Sequence, residues 1–285
     1  MQEIRKVQVT SKDTRVISLP KKWLDQAQVR GGDMLRLTLQ VDGTLLLHPY
    51  QTERSRPVAA VTAQSGEPVE LLVERCVGAY IGGADTIHVS NLEGQSSAAR
   101  MQLRDLARNL AGIHVAEEST DAMSFTVLVD SGSATPHQAL RRLLALGRST
   151  ETAGERRRGE ARRIHSLLLR QANRILHDSQ YADRVGAVSA EVPGMVRVAE
   201  ALVLFCATKP TATVASATFQ EGTGLVEAAF SAYAGRDLAR AWALWRQISP
   251  QVGSSLEGGG QDPVACAVAR AILTVALQEA AEKQP

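Results

Sequence analysis

The chain has 285 residues, 44% of them hydrophobic and 22% charged, with a formal net charge of +2. Such a composition suits a globular protein of two or three domains and excludes both a long disordered chain and a uniformly basic nucleic-acid carpet, so strong basic character has to be local. Cys76, Cys206 and Cys266 are odd in number and widely spaced in apolar surroundings, so buried free thiols are expected rather than disulfides or zinc ligands.

Ile4, Val7 and Val9 lead into a polar turn, Thr10 to Thr14, and Val16, Ile17 and Leu19 form a second apolar run. Pro20 follows where a helix can start, since its missing N–H would be unpaired there. The short helix through Trp23 and Leu24 is predicted to stop before Arg30-Gly31-Gly32-Asp33, whose glycines can take positive φ. Two strands then follow, one through Leu35, Leu37 and Leu39 and one through Leu45 to Leu47, joined by the hairpin signal Asp42-Gly43. A hairpin-helix-hairpin of about 45 residues cannot bury enough apolar surface to offset its own ordering entropy without a disulfide or a metal, so a second copy is expected.

The stretch VISLPKKW…VRGGD…DGTLLLHP resembles the SpoVT/AbrB-like swapped-hairpin DNA-binding domain shared by AbrB-type regulators and MazE-type antitoxins, over residues 4–49 of a head assigned to 1–50. The resemblance implies a homodimeric barrel of interleaved hairpins that presents cations from the first hairpin and the helix start to double-stranded DNA. Those positions here are Arg5, Lys6, Lys12, Arg15, Lys21 and Lys22. From two chains they can neutralise several phosphates, and one or two arginines can also reach guanine edges; the plainer account is a solubilising face. Lys12 and Arg15 flank the turn and are expected to project furthest.

Tyr50 to Pro68 lacks sustained periodicity, so 51–68 reads as a linker. From Val69 the pattern predicts a small α/β module over 69–130. It comprises a helix through Leu72, Cys76 and Tyr80 ended by Gly82-Gly83, a strand from Thr86 to Val89, a helix through Leu103 and Leu106, and strands Ile113–Glu117 and Met123–Val129. Asp130-Ser131-Gly132-Ser133 breaks the pattern, and 134–283 reads as helices only: 137–153, 155–178, 191–207, 212–234, 236–249 and 263–282. Gly253 to Gly260 supplies a flexible connection and Asp262-Pro263 opens the last helix. In the long helix, Ile164, Leu168, Ala172 and Ile175 make a core stripe, while Arg157, Arg163, Arg170 and Arg174 are expected to leave the opposite side polar. Val196–Ala207 and Val264–Leu277 are apolar nearly all round, as in a central bundle helix or one half buried against another subunit. Two three-helix groups of similar length suggest a degenerate tandem repeat.

The segments EPVELLVERCVGAYIGGADTIHV, RDLARNLAGIHVAEESTDAMSFTVLVD, LLLRQANRILHDSQYADRVGAV and VEAAFSAYAGRDLARA resemble the body of archaeal PhoU-related regulators, in which an AbrB-like head precedes a PhoU-like helical region. The fold class expected is therefore an α+β multidomain chain: a swapped-hairpin β head, a small α/β middle module and an all-α helical bundle. The resemblance implies a regulator linked to phosphate uptake, and it admits phosphate transporter or sensor kinase components as further partners. Family helices carry an acidic-x-x-x-Asp motif that holds a cation. Aligned here, the first motif falls on Arg158 and Arg162 and the second near Ala201 and Phe205, so no metal site is carried over; Glu155, Glu160 and Glu200 make no pair at that spacing. Instead Arg156, Arg157, Arg158, Arg162 and Arg163 form a cationic patch open to phosphate, nucleic acid or an acidic partner. The simpler account is a solvated face with Glu155 and Glu160 as intrahelical partners.

The sequence has no P-loop, dinucleotide glycine fingerprint or nucleophile-elbow serine, and His48, His88, His114, His137, His165 and His177 lack close metal spacing. No catalytic, cofactor or metal site is expected, and an enzyme is the least supported class. Glu117 to Asp121 reads as a solvated turn, and Trp23, Trp242 and Trp245 as packing residues too dispersed for a stacking platform. No secretory leader opens the chain, and the apolar run ending at Ala207 is short of the roughly 18 residues that span a bilayer, so a cytoplasmic protein without membrane insertion is expected. Two functions remain. One is a dimeric DNA-binding regulator whose body senses a partner or effector; the other is an interaction protein that restrains a phosphate transporter or its sensor kinase, with the head only dimerising. A MazE-like antitoxin fits the head but leaves most of the chain unexplained.

Overall fold

The structure, a computed structural model, describes residues 3–39, 43–50, 57–128, 135–149, 154–207, 216–248 and 263–281. Asp42, the break at 130–133, the connection at 253–260 and Asp262 lie outside the described residues. Two units divide the chain, Met1–Ser55 and Arg56–Pro285.

In the first unit, β1 (Gln8–Val9) pairs antiparallel with β2 (Arg15–Val16), α1 spans Lys21–Gln26, and β3 (Leu35–Leu39) pairs antiparallel with β4 (Leu45–Pro49). The hairpin-helix-hairpin order agrees with the sequence reading. The two hairpins remain separate two-stranded sheets. No described residue of this unit is buried: Ile4 is 97% exposed, Leu39 74% and Leu37 59%.

The second unit opens with β5 (Val58–Thr62), inside the segment expected to be a linker. Its two alanines dilute the strand signal, and its identity comes from pairing in parallel with β6 (Thr86–Ser90), from Val58↔Thr86 to Thr62↔Ser90. The α/β module therefore begins near residue 57 rather than 69. Between these strands runs α2 (Val69–Ile81); α3 (Ser97–Asn109), β7 (Ile113–Glu118) and β8 (Met123–Val127) complete a sheet of order β5-β6-β8-β7. A bulge in β7 between Val115 and Glu117 interrupts the ladder to β8. Strand alternation sends Val61, Ile87, Val89, Ile113, Phe125 and Val127 to one face, where they form a core with Leu72, Cys76 and Tyr80 of α2 and Leu103 and Leu106 of α3.

The remaining helices are α4 (Pro136–Arg148), α5 (Gly154–His177), α6 (Ser179–Val185), α7 (Val192–Ala207), α8 (Ser216–Ala234), α9 (Leu238–Ile248) and α10 (Pro263–Ala281), with a 3-10 turn at Ser189–Glu191. Thr135 caps α4 through a capping box with Gln138, and Gly186, at φ 64°, ends the short α6 that the sequence reading passed over. The near-uniformly apolar α7 and α10 are the central helices: α7 packs on α4, α5 and α10, and α10 on α7, α8 and α9. Each three-helix group thus has an apolar central member, and the two central members join the groups in one core. Helices α4 and α7 approach so closely that a Cβ at Gly147 would lie 2.4 Å from the buried Phe205 ring.

Helix α5 departs most from expectation. Arg157, Arg170 and Arg174 are buried, not solvated. Helix α5 packs on α2 and α3, and Arg170 and Arg174 lie at an internal seam between the α/β module and the bundle. The guanidinium of Arg170, 1% exposed, donates to the carbonyls of Tyr80 (2.8 Å) and Ala84 (2.6 Å) and to Asp85 Oδ1 (2.5 Å), and lies 5.1 Å from the Tyr80 ring centroid. Asn173 Nδ2 donates to the Ile81 carbonyl at 3.0 Å. As the sequence predicts, Gly82-Gly83 ends α2: Gly83, at φ +95°, turns the chain so that the last helical carbonyls and Ala84 face the guanidinium. Burial pushes the Tyr80 hydroxyl, which donates to the Ala111 carbonyl at 2.9 Å, up to about 12.

Three outcomes are expected. Arg170→Met strands the buried Asp85 carboxylate and should cost about 3–5 kcal/mol in denaturant unfolding, with much of the loss recovered when Asp85→Leu is added. Gly147→Ala should lower stability by about 1–3 kcal/mol despite the better helix propensity of alanine, because the Phe205 ring has no room to yield. The cysteines are free and buried, and burial pushes Cys76 and Cys206 up to about 11. A thiol reagent at pH 8 should therefore label them only on unfolding, when the thiols return to their ordinary, lower range and ionise.

Candidate nucleic-acid interface

The first fifty residues contain eight Lys and Arg against five Asp and Glu, so this unit carries +3 and the rest of the chain −1. The basic character is local, as the composition requires. Its geometry starts at the first hairpin, closed by Thr10 N–H donating to the Thr14 carbonyl at 3.2 Å. Arg15, paired in register with Val9, folds its guanidinium back over the turn and donates to the carbonyls of Ser11 (3.4 Å) and Lys12 (3.3 Å). Lys12 is exposed and makes no ion pair or side-chain hydrogen bond with a described residue, so of the two turn-flanking cations it is the one whose charged group is unengaged. Arg5 is ion-paired with Glu3.

Pro20 is the N-cap of α1, and its carbonyl accepts from Trp23 N–H (3.0 Å) and Leu24 N–H (3.1 Å), which places Lys21 and Lys22 in the exposed first turn. Asp33 Oδ2 accepts from Arg30 N–H at 2.7 Å and Gly32 takes φ +96°, turning the chain into β3. All six predicted contact residues, Arg5, Lys6, Lys12, Arg15, Lys21 and Lys22, are exposed. A groove of about 660 Å³ lies in the same unit, walled by Leu19, Pro20, Trp23, Leu45 and Leu47 with Glu3 and Gln26. Trp23 thus lines an apolar groove instead of a closed core. Sequence reading had no signal for this groove, because its walls come from three elements that are apolar only in part.

In the second unit the predicted candidates separate. The acidic turn is structural: Glu118 takes a two-point contact from Arg104 (2.6 and 2.9 Å), whose hydrogen bond holds the carboxyl below its usual range, and Arg100 donates to the carbonyls of Leu92, Ser119 and Thr120. Glu160 reaches across to Arg142 of α4 at 2.6 Å, an interhelical bond in place of the intrahelical one expected. Arg157 is buried, donating to the Ser149 carbonyl, while Arg156 and Arg162 are exposed and Arg158 and Arg163 half-buried. Trp242 and Trp245, three residues apart on α9, stack at 5.6 Å with 2° between ring planes. Trp245 packs against the core, but Trp242 is exposed beneath Arg246, so packing explains only the first. Among the described residues no group of three His, Cys, Asp or Glu is placed to hold a metal ion, and no helix is long and apolar enough to cross a membrane. Comparison of the chain with protein-family models, curated proteins and solved structures found no match.

Proposed function

We propose that the chain is a dimeric DNA-binding transcriptional regulator whose N-terminal unit binds duplex DNA and whose helical body senses a partner or effector. The observation that carries this reading is a unit of two separate hairpins and a six-residue helix in which no described residue is buried, while every predicted contact cation is exposed. Open apolar strands and an apolar groove need a cover, since exposed hydrophobic surface on this scale marks an association site. A second copy supplies it with the least new assumption, because two-fold pairing of identical hairpins buries both sets of strands at once. Pairing also doubles the cations on one assembly, which suits a two-fold operator and a salt-dependent affinity. The resemblance of the sequence to swapped-hairpin heads supports the same reading. An association with phosphate uptake rests on the resemblance of the body alone.

The test is selection of bound fragments from random duplexes by the purified chain, followed by titration at several salt concentrations. A two-fold site and a steep fall of affinity with salt are expected, and Lys12→Ala with Arg15→Ala should reduce the salt slope by about 2 per head. Leu37→Lys, placed on the open face of β3, should convert the dimer to monomer in sedimentation and weaken DNA binding with it. Salt-independent binding, or none, would overturn the proposal in favour of a body-directed interaction protein.

A further inference from the structure

Helix α5 carries five arginines in its first ten residues, and of these only Arg157 is buried. Arg156 and Arg163 are seven positions apart, and seven further on stands Arg170, so the three fall in one row of the helix. The inner end of that row is neutralised by Asp85 and the α2 carbonyls. Its outer members have no such partner. Arg158 and Arg162, four apart, make a second row, and between the rows lies Gly159, where an added Cβ would meet nothing within 4 Å. None of the four forms an ion pair with a described residue, because Glu160 is engaged by Arg142.

Helix stability does not account for the arrangement. Cations in a first turn oppose the positive end of the helix dipole, and the 158–162 pair repels. Nor does the face offer what a protein partner needs. Among the described residues of α5 itself no large apolar side chain is exposed before Leu176, whereas protein interfaces draw their energy from buried aromatic and aliphatic anchors. Rows of unengaged guanidiniums flanking a bare glycine, with no apolar anchor, match a line of phosphates.

We propose that this face of α5 is a second, sequence-independent contact for the phosphate backbone of duplex DNA, acting beside the head; it rests on the reading of the head as DNA-binding. Two phosphate-binding surfaces on one chain bind as linked modules, so loss of either weakens the whole.

The test uses the full chain and a mixed-sequence duplex several helical turns long. Arg156→Glu with Arg162→Glu, both exposed positions, should lower affinity roughly tenfold and the salt slope by about 2. The thermal midpoint should hold or rise, because an acid at 156 suits the first helical turn and an acid at 162 replaces a like-charge pair with Arg158 by an opposite-charge one. Arg108→Glu with Arg240→Glu makes the same net-charge change elsewhere and should have a much smaller effect. If the first double variant melts early, Arg156→Gln with Arg162→Gln replaces it. Equal loss from both pairs would overturn the proposal, as would unchanged duplex binding in the α5 variant while Lys12→Ala with Arg15→Ala still weakens it; the head reading survives that second result. Loss of polyglutamate binding with duplex binding intact would assign the face to an acidic partner and overturn it too. Failure of the wild-type chain to bind any duplex would remove the head reading and this proposal together.

Discussion

One buried guanidinium joins the two cores of the body. Arg170 reaches from the bundle to two backbone carbonyls and one carboxylate of the α/β module, adding a second donor to the Tyr80 carbonyl, which also accepts from Gly83 N–H, and pairing the buried Asp85 carboxylate. The flat, five-donor geometry of arginine suits this convergence, where a lysine would offer a point charge without the fork. The seam therefore specifies one docking of helix α5 on α2. Slippage by a helical turn would leave both a buried cation and a buried anion unmatched, which is strongly destabilising. A sheet with helices on one face and a helical bundle become one unit through that constraint.

The head shows the opposite regime. Its strands are short, and its described apolar side chains are exposed or only half-buried, so much hydrophobic free energy is unrealised in the single chain. What the sequence does specify there is local: proline at the entry to α1, glycines at positive φ in the turns, and cations spaced along one hairpin. Local determinants can set the shape of each hairpin without closing a core, and that division of labour is expected of a unit completed by a partner.

Much of this was legible in the sequence, and the gaps have physical causes. Period and caps located α2 to α10 within a few residues, apart from the short α6, and the apolar girth of α7 and α10 announced their central places. Strand β5 was missed because a parallel edge strand with two alanines is defined by its neighbour, and neighbours are not written in local pattern. The arginines of α5 were misjudged for a related reason. Helical periodicity separates apolar from polar sides, but it cannot tell a polar side facing water from one facing carbonyls across a seam. Arg163 and Arg170 share a row and read alike, yet one is half-buried at the open end and the other is among the most enclosed side chains of the chain. In the head, likewise, Lys12 and Arg15 look equivalent from the turn, and only the structure shows Arg15 folded onto the Ser11 and Lys12 carbonyls.

The choice between the two cations follows the same logic through the whole chain. Four of its six lysines fall within residues 6–22, whereas every cation of the described body is an arginine. An ammonium is compact, strongly hydrated and indifferent to approach angle, which suits contact with a mobile, water-covered phosphate surface and demands no fixed partner geometry. A guanidinium repays its burial only where carbonyls and carboxylates converge on it, and the body supplies such acceptors to buried arginines at Tyr80, Ala84 and Asp85 and at Ser149. Exposed arginines left over on α5 have the geometry for planar recognition in a helix whose other arginines already use it.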